Sequence, residues 1–66
     1  MRLAVAEVER LMAAAPAGTR LEDALGVFEV FASGSLTDEV YVLDDVSGKR
    51  IAIAPRELRE RFRPPA

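Results

Sequence analysis

Three successive segments of this chain are apolar on both faces, and 66 residues are too few to cover both sides of the sheet that they predict. The segments run from Val27 to Ala32, from Glu39 to Asp44 and from Lys49 to Ala54. Each is rich in β-branched, aromatic or other apolar residues and is bounded by turn-forming residues. A chain of this size can bury one sheet face under its own helices, but the other face needs a partner. The sequence therefore predicts self-association or binding to another protein.

The turn between the last two segments predicts their register. Residues 45–48 read Asp-Val-Ser-Gly, which is typical of a type I turn followed by a glycine bulge. This turn pairs Asp45 with Lys49 and Asp44 with Arg50, two contacts of opposite charge. The register then gives one face of larger side chains, Tyr41, Leu43, Ile51 and Ile53, and one face of smaller side chains, Val40, Val42, Ala52 and Ala54. We expect the larger set to meet the helices and the smaller set to stay exposed.

Helices are predicted before and after these strands in the sequence. Residues 2–15 carry an apolar stripe at helical spacing, made by Ala4, Val8, Leu11, Met12 and Ala15, and Pro16 with Gly18 ends it. Residues 19–22, Thr-Arg-Leu-Glu, match a capping box that opens a short helix or an irregular lead into the sheet, with Gly26 as its end signal. Pro55 begins a last helix over 55–62, which Leu58 and Phe62 anchor.

The predicted fold class is α+β. Its order is an N-terminal helix, a short helix or turn, a three-stranded antiparallel β-meander joined by a hairpin connection over 33–38, and a short C-terminal helix. We expect one small domain over residues 1–63 and a flexible tail over 64–66.

Composition argues against several kinds of site. The chain has no histidine and no cysteine, which removes the commonest metal ligand, thiolate chemistry and disulfides. The adjacent acids Asp38-Glu39 and Asp44-Asp45 are explained by turn formation and cross-strand pairing. No nucleophile, base and orienting group can be named together, so we predict no enzyme activity, no catalytic residue, no cofactor and no metal.

The N-terminal segment does not predict targeting. Glu7, Glu9 and Arg10 interrupt what would be the apolar region of a signal peptide, and no segment is long enough to span a membrane. We predict a cytoplasmic protein with no membrane partner. Arginine far outnumbers lysine and alanine is abundant, which is typical of GC-rich bacterial or phage genes.

Charge is divided unevenly along the chain. Residues 1–48 contain three arginines and nine acidic residues, a net charge of −6, whereas residues 49–66 contain six basic and two acidic residues, a net charge of +4. Such a division can orient a charged partner. Five residues of the basic end are candidate phosphate ligands: Arg50, Arg56, Arg59, Arg61 and Arg63. Glu57, Glu60 and the acidic remainder would repel nucleic acid.

The first functional hypothesis is a non-enzymatic, homo-oligomeric module that also binds a protein partner. Its contact surface is predicted to be Val40, Val42 and Ala52, together with Phe31 or, in the other register of the first segment, Val30. The alternative is a small nucleic-acid-binding regulator that presents the C-terminal arginines to phosphates. A third hypothesis is an accessory subunit that completes the active site of another protein.

Overall fold

A short strand and two helices precede three further strands, and a last helix follows them. The computed structural model describes residues 1–34 and 38–63, and in this part of the chain the elements are β1 (Arg2–Ala4), α1 (Val5–Ala14), α2 (Leu21–Leu25), β2 (Glu29–Ala32), β3 (Glu39–Asp44), β4 (Arg50–Ala54) and α3 (Arg56–Arg61). The strands form one sheet in the order β1-β3-β4-β2. The α+β class is confirmed, but the sheet is four-stranded and mixed rather than a three-stranded antiparallel meander.

The first strand was not expected, because residues 2–4 were predicted to be helical. β1 pairs antiparallel with β3, with Leu3 opposite Val40. The Met1 amine donates to the Val42 carbonyl at 2.8 Å, and the Val42 N–H donates to the Met1 carbonyl at 2.7 Å. Leu3 packs against the core while its neighbours are exposed, which is the alternation of a strand. Helix α1 therefore begins only at Val5.

The partner of β2 also differs from the prediction. β2 lies beside β4 and runs parallel to it, with Val30 opposite Ala52 and Phe31 opposite Ile53. The predicted β2–β3 hairpin is wrong because β1 already occupies the free edge of β3, which leaves only the outer edge of β4. Residues 35–37 of the expected hairpin connection, like the expected tail at 64–66, lie outside the described residues.

The β3–β4 hairpin has the predicted register. Asp44 is opposite Arg50, and their Oδ1 and Nε atoms are 3.8 Å apart. Gly48 has a φ of 87°, and its N–H donates to the Asp45 carbonyl at 3.0 Å, as a type I turn with a glycine bulge requires. Asp45 is opposite Lys49, but the Lys49 ammonium lies 4.6 Å from the centre of the Phe28 ring.

The helices pack through fewer residues than their apolar stripes suggest. In α1, Val8 is fully buried and Val5 and Met12 pack against the core, whereas Leu11 is exposed and does not belong to the packing face. The short helix α2 is confirmed and ends at Gly26, whose φ is 68°. Its predicted capping box is wrong, because the Thr19 hydroxyl donates to the Pro16 carbonyl at 2.6 Å instead of capping α2.

The helices cover the face of the sheet that was predicted to be open. Val40 and Ala52 are 0% exposed and Val42 is 5% exposed, and they form one core with Val8, Leu21, Leu25 and Leu58 from the three helices. The physical reason is size complementarity. The helices supply the large leucines, and small side chains on the strands let them approach closely. The expectation that the larger strand residues meet the helices is therefore wrong.

Candidate functional site

The other face of the sheet carries large apolar side chains that remain accessible. Tyr41 is 40% exposed, Leu43 is 45% exposed and Phe31 is 43% exposed, while Ile51 and Ile53 are partly buried. We call the surface formed by these five residues the open face. None of them belongs to the core that the three helices cover within the described chain. This surface is the most prominent candidate for a site.

Strand register makes the open face continuous. Tyr41 on β3, Ile53 on β4 and Phe31 on β2 are direct cross-strand neighbours and form one row. Leu43 and Ile51 form the next row towards the β3–β4 turn. Since paired residues in a sheet share a face, these side chains form one patch and not five isolated apolar residues.

Charged residues border the open face. Arg2 on β1 extends the first row beyond Tyr41, and its guanidinium is 3.7 Å from the Glu39 carboxylate. Glu29 on β2 extends the second row beyond Ile51 and is exposed. One lateral edge of the patch therefore carries a cation, and the opposite edge carries an anion. Asp45 and Lys49 lie at the turn end.

The dimensions of the face limit what it can bind. Four strands about 4.8 Å apart, each contributing about five residues at roughly 3.4 Å, give a surface of about 19 by 17 Å. This is below the roughly 800 Å² that each partner buries in a standard stable interface. The face is suited to a weak or exchanging protein contact.

The predicted contact residues are only partly on this surface. Phe31 lies on it, but the exposure predicted for Val40, Val42 and Ala52 is wrong, since all three are in the core. Tyr41, Leu43 and the two isoleucines were expected to be under the helices. Both sets are apolar and alternate with the same period, so the sequence contains no signal that assigns either set to the helices.

The predicted arginine cluster does not form one site. Arg50 pairs with Asp44 at the turn end of the sheet, and Arg61 pairs with Glu9 of α1 at 3.3 Å. Arg56 is exposed on the first turn of α3. Two of the five share a cleft: Arg59 and Arg63 line a space of about 150 Å³ together with Arg20 and Phe62.

The acidic turn has a structural explanation. The Asp45 carboxylate accepts hydrogen bonds from the Ser47 hydroxyl at 2.7 Å, the Ser47 N–H at 2.8 Å and the Lys49 N–H at 2.9 Å. The hydrogen bond from the Ser47 hydroxyl, followed by that from the Lys49 N–H, lowers the pKa of Asp45 below its ordinary value. Asp45 thus acts as a charged acceptor that holds the turn.

No described helix combines the length and the apolar character that crossing a membrane requires. Within residues 1–34 and 38–63, acidic side chains do not gather in a group of three that could hold a metal ion. No family model matches the chain, and no curated protein or solved structure matches it either.

Proposed function

We propose that this chain is a cytoplasmic, non-enzymatic interaction module that self-associates and binds a protein partner through the open face of its sheet. The observation that carries the proposal is the exposure of Phe31, Tyr41 and Leu43 in one continuous patch. The largest contiguous apolar patch on a small protein, typically a few hundred Å², is often a functional surface. Its aromatic residues are of the kind that interface cores favour.

Self-association can be tested by sedimentation of the wild type and two matched variants. Leu43→Glu places a charge within the open face and should give a folded monomer. Val46→Glu places the same charge on the fully exposed β3–β4 turn, away from the face, and should still self-associate. A wild type that stays monomeric at every concentration, or a Leu43→Glu variant that associates like the wild type, would contradict the proposal.

Partner binding requires a separate measurement. We expect that affinity capture with the wild type and with Val46→Glu recovers the same protein, and that Leu43→Glu does not recover it. Circular dichroism of the free variants shows whether each one is folded. Equal recovery by all three proteins would place the partner contact on another surface.

The cleft between Arg20, Arg59 and Arg63 supports a second candidate, a small nucleic-acid-binding regulator. Arg20 is paired with Glu22 at 3.6 Å, whereas Arg59 and Arg63 form no ion pair with a described residue. Changing both Arg59 and Arg63 to alanine should weaken binding to a DNA duplex. It should also reduce the number of counterions released on binding by about two, which lowers the salt dependence of the affinity. Arg50→Ala, at the other end of β4, is the matched control. Absence of binding by the wild type at low salt would eliminate this candidate.

A further inference from the structure

We infer that the occupant of the open face is a second copy of this chain, packed face to face about a two-fold axis that runs along the strands. The inference rests on the proposed function, because it requires the open face to be an interface. It specifies how the two copies are oriented. The charged residues that border the open face, Arg2 and Glu29, are the observation that selects this orientation.

Sheets that pack face to face keep their strands within about 30° of alignment or cross at about 90°. Two aligned two-fold arrangements are possible for identical sheets. With the axis along the strands, β1 of one copy faces β2 of the other and β3 faces β4. With the axis perpendicular to the strands but within the interface plane, each strand faces its own counterpart in reverse direction.

The axis along the strands matches unlike charges. Arg2 faces Phe31 of the second copy, and Glu29 of that copy follows two residues along the same strand, about 7 Å away and within reach of a long arginine side chain. Two-fold symmetry repeats this contact at the opposite edge. At the turn end, Lys49 of each copy faces Asp45 of the other.

The same operation fills the centre with apolar contacts. Tyr41 faces Ile53 of the second copy, and Leu43 faces Ile51. A large side chain on β3 therefore meets a β-branched side chain on β4 at each central position. All five residues of the open face are covered in both copies.

The perpendicular axis is disfavoured by charge. When the apolar rows of the two copies are centred on each other, this axis brings Glu39 of one copy opposite Asp45 of the other, twice in the dimer. It also places Glu29 opposite Phe31 of the other copy, so that no cation faces Glu29 across the interface. Like charges placed across an interface suppress that arrangement.

A charge-reversal experiment distinguishes the two axes. Arg2→Glu alone and Glu29→Lys alone should each weaken self-association about tenfold, since two attractive contacts per dimer become repulsive. An equimolar mixture allows a heterodimer of one variant with the other. In this heterodimer the new carboxylate at position 2 faces the new ammonium at position 29, and the unaltered Arg2 faces the unaltered Glu29. The mixture should therefore form heterodimers with nearly the wild-type affinity, as measured by sedimentation with one labelled variant.

Matched controls come from helix α1. Arg10→Glu and Glu7→Lys make the same charge changes away from the sheet, where these two residues pair with each other at 3.8 Å. Neither variant should alter self-association, alone or mixed. The new carboxylate of Arg2→Glu lies beside Glu39, and repulsion between them can detach β1 from β3. The neutral variants Arg2→Gln and Glu29→Gln avoid this repulsion and should each weaken association by about threefold.

The possible failures are distinct. Dissociation of the Leu43→Glu variant without heterodimer preference in the charge mixture would overturn the axis but leave the open face as an interface. A monomeric wild type, or a Leu43→Glu variant that associates like the wild type, would overturn both the axis and the proposed function.

Discussion

Asp45 shapes the β3–β4 turn through its side chain as well as its backbone. Its carboxylate accepts from Ser47 and Lys49, and these hydrogen bonds favour the ionised form. The folded-state pKa is depressed, so the stabilisation is fully present above the unfolded pKa of about 3.9 and is lost as pH falls through the folded value.

We therefore expect a pH-dependent difference between the wild type and Asp45→Asn, which keeps an acceptor but loses the charge. The difference in free energy of unfolding, measured with urea, should be constant from about pH 7 to about pH 5 and shrink below about pH 4. Ser47→Ala removes the hydroxyl that contributes most to lowering the pKa of Asp45. It should therefore reduce the pH dependence of the free energy of unfolding. A difference that persists unchanged to pH 2 would contradict this role of the carboxylate.

Gly48 is required for its backbone conformation. Its φ of 87° is unfavourable for side chains, yet a Cβ at this position would meet nothing within 4 Å. Gly48→Ala should therefore cost about 1 kcal/mol through the backbone alone, and Gly48→Asn should cost less because asparagine tolerates left-handed geometry. Urea unfolding of the three proteins measures this order. Equal stability of Gly48→Ala and the wild type would show that the turn relaxes to another type.

At the scale of the elements, sequence predicts what is local. The β3–β4 hairpin follows from four turn residues and two charge pairs, and its register is correct. The position of β2 depends on which edge of the β3–β4 hairpin is free. β1 occupies the edge of β3, but its three residues look in sequence like the first turn of α1. The choice of buried face depends on how Val8 and the leucines of α2 and α3, from three separate helices, fit small strand residues, a long-range match that alternation alone does not encode.

The parallel pairing of β2 with β4 can be tested by cross-linking. Phe31 and Ile53 are cross-strand neighbours, so their Cα atoms lie about one strand spacing, or about 4.8 Å, apart, within the range for a disulfide. Phe31→Cys combined with Ile53→Cys should form an intramolecular disulfide in dilute, oxidising solution. The product is identified by mass and by unchanged subunit size.

Phe31→Cys combined with Tyr41→Cys is the matched negative variant. β4 lies between these positions, which places them about 9.6 Å apart, too far for a disulfide. A β2–β3 meander would place β3 between β2 and β4, so failure of the 31–53 pair to form a disulfide, or efficient cross-linking between positions 31 and 41, would contradict the strand order β1-β3-β4-β2.

At the scale of the whole molecule, all the described helices contribute to one side of the sheet. The core joins residues of α1, α2 and α3 to the small side chains of the strands, and the larger strand residues are left on the solvent side. A chain this small has little surplus stability, so covering its second apolar face has a measurable effect on folding. Association and stability should therefore be linked.

This linkage predicts that the thermal midpoint of the wild type depends on protein concentration. Because the associated form is more stable than the free subunit, raising the concentration from about 5 to about 500 µM should add roughly 1 kcal/mol of stability, or about 5 °C in Tm for a domain of this length. Leu43→Glu, which removes the interface, should unfold at the same temperature across that range, and Val46→Glu should behave like the wild type. Calorimetry at the two concentrations measures all three. A wild-type midpoint that does not move would mean that the open face remains in water even at high concentration, and a matching rise in Leu43→Glu would place the stabilising contact elsewhere on the molecule.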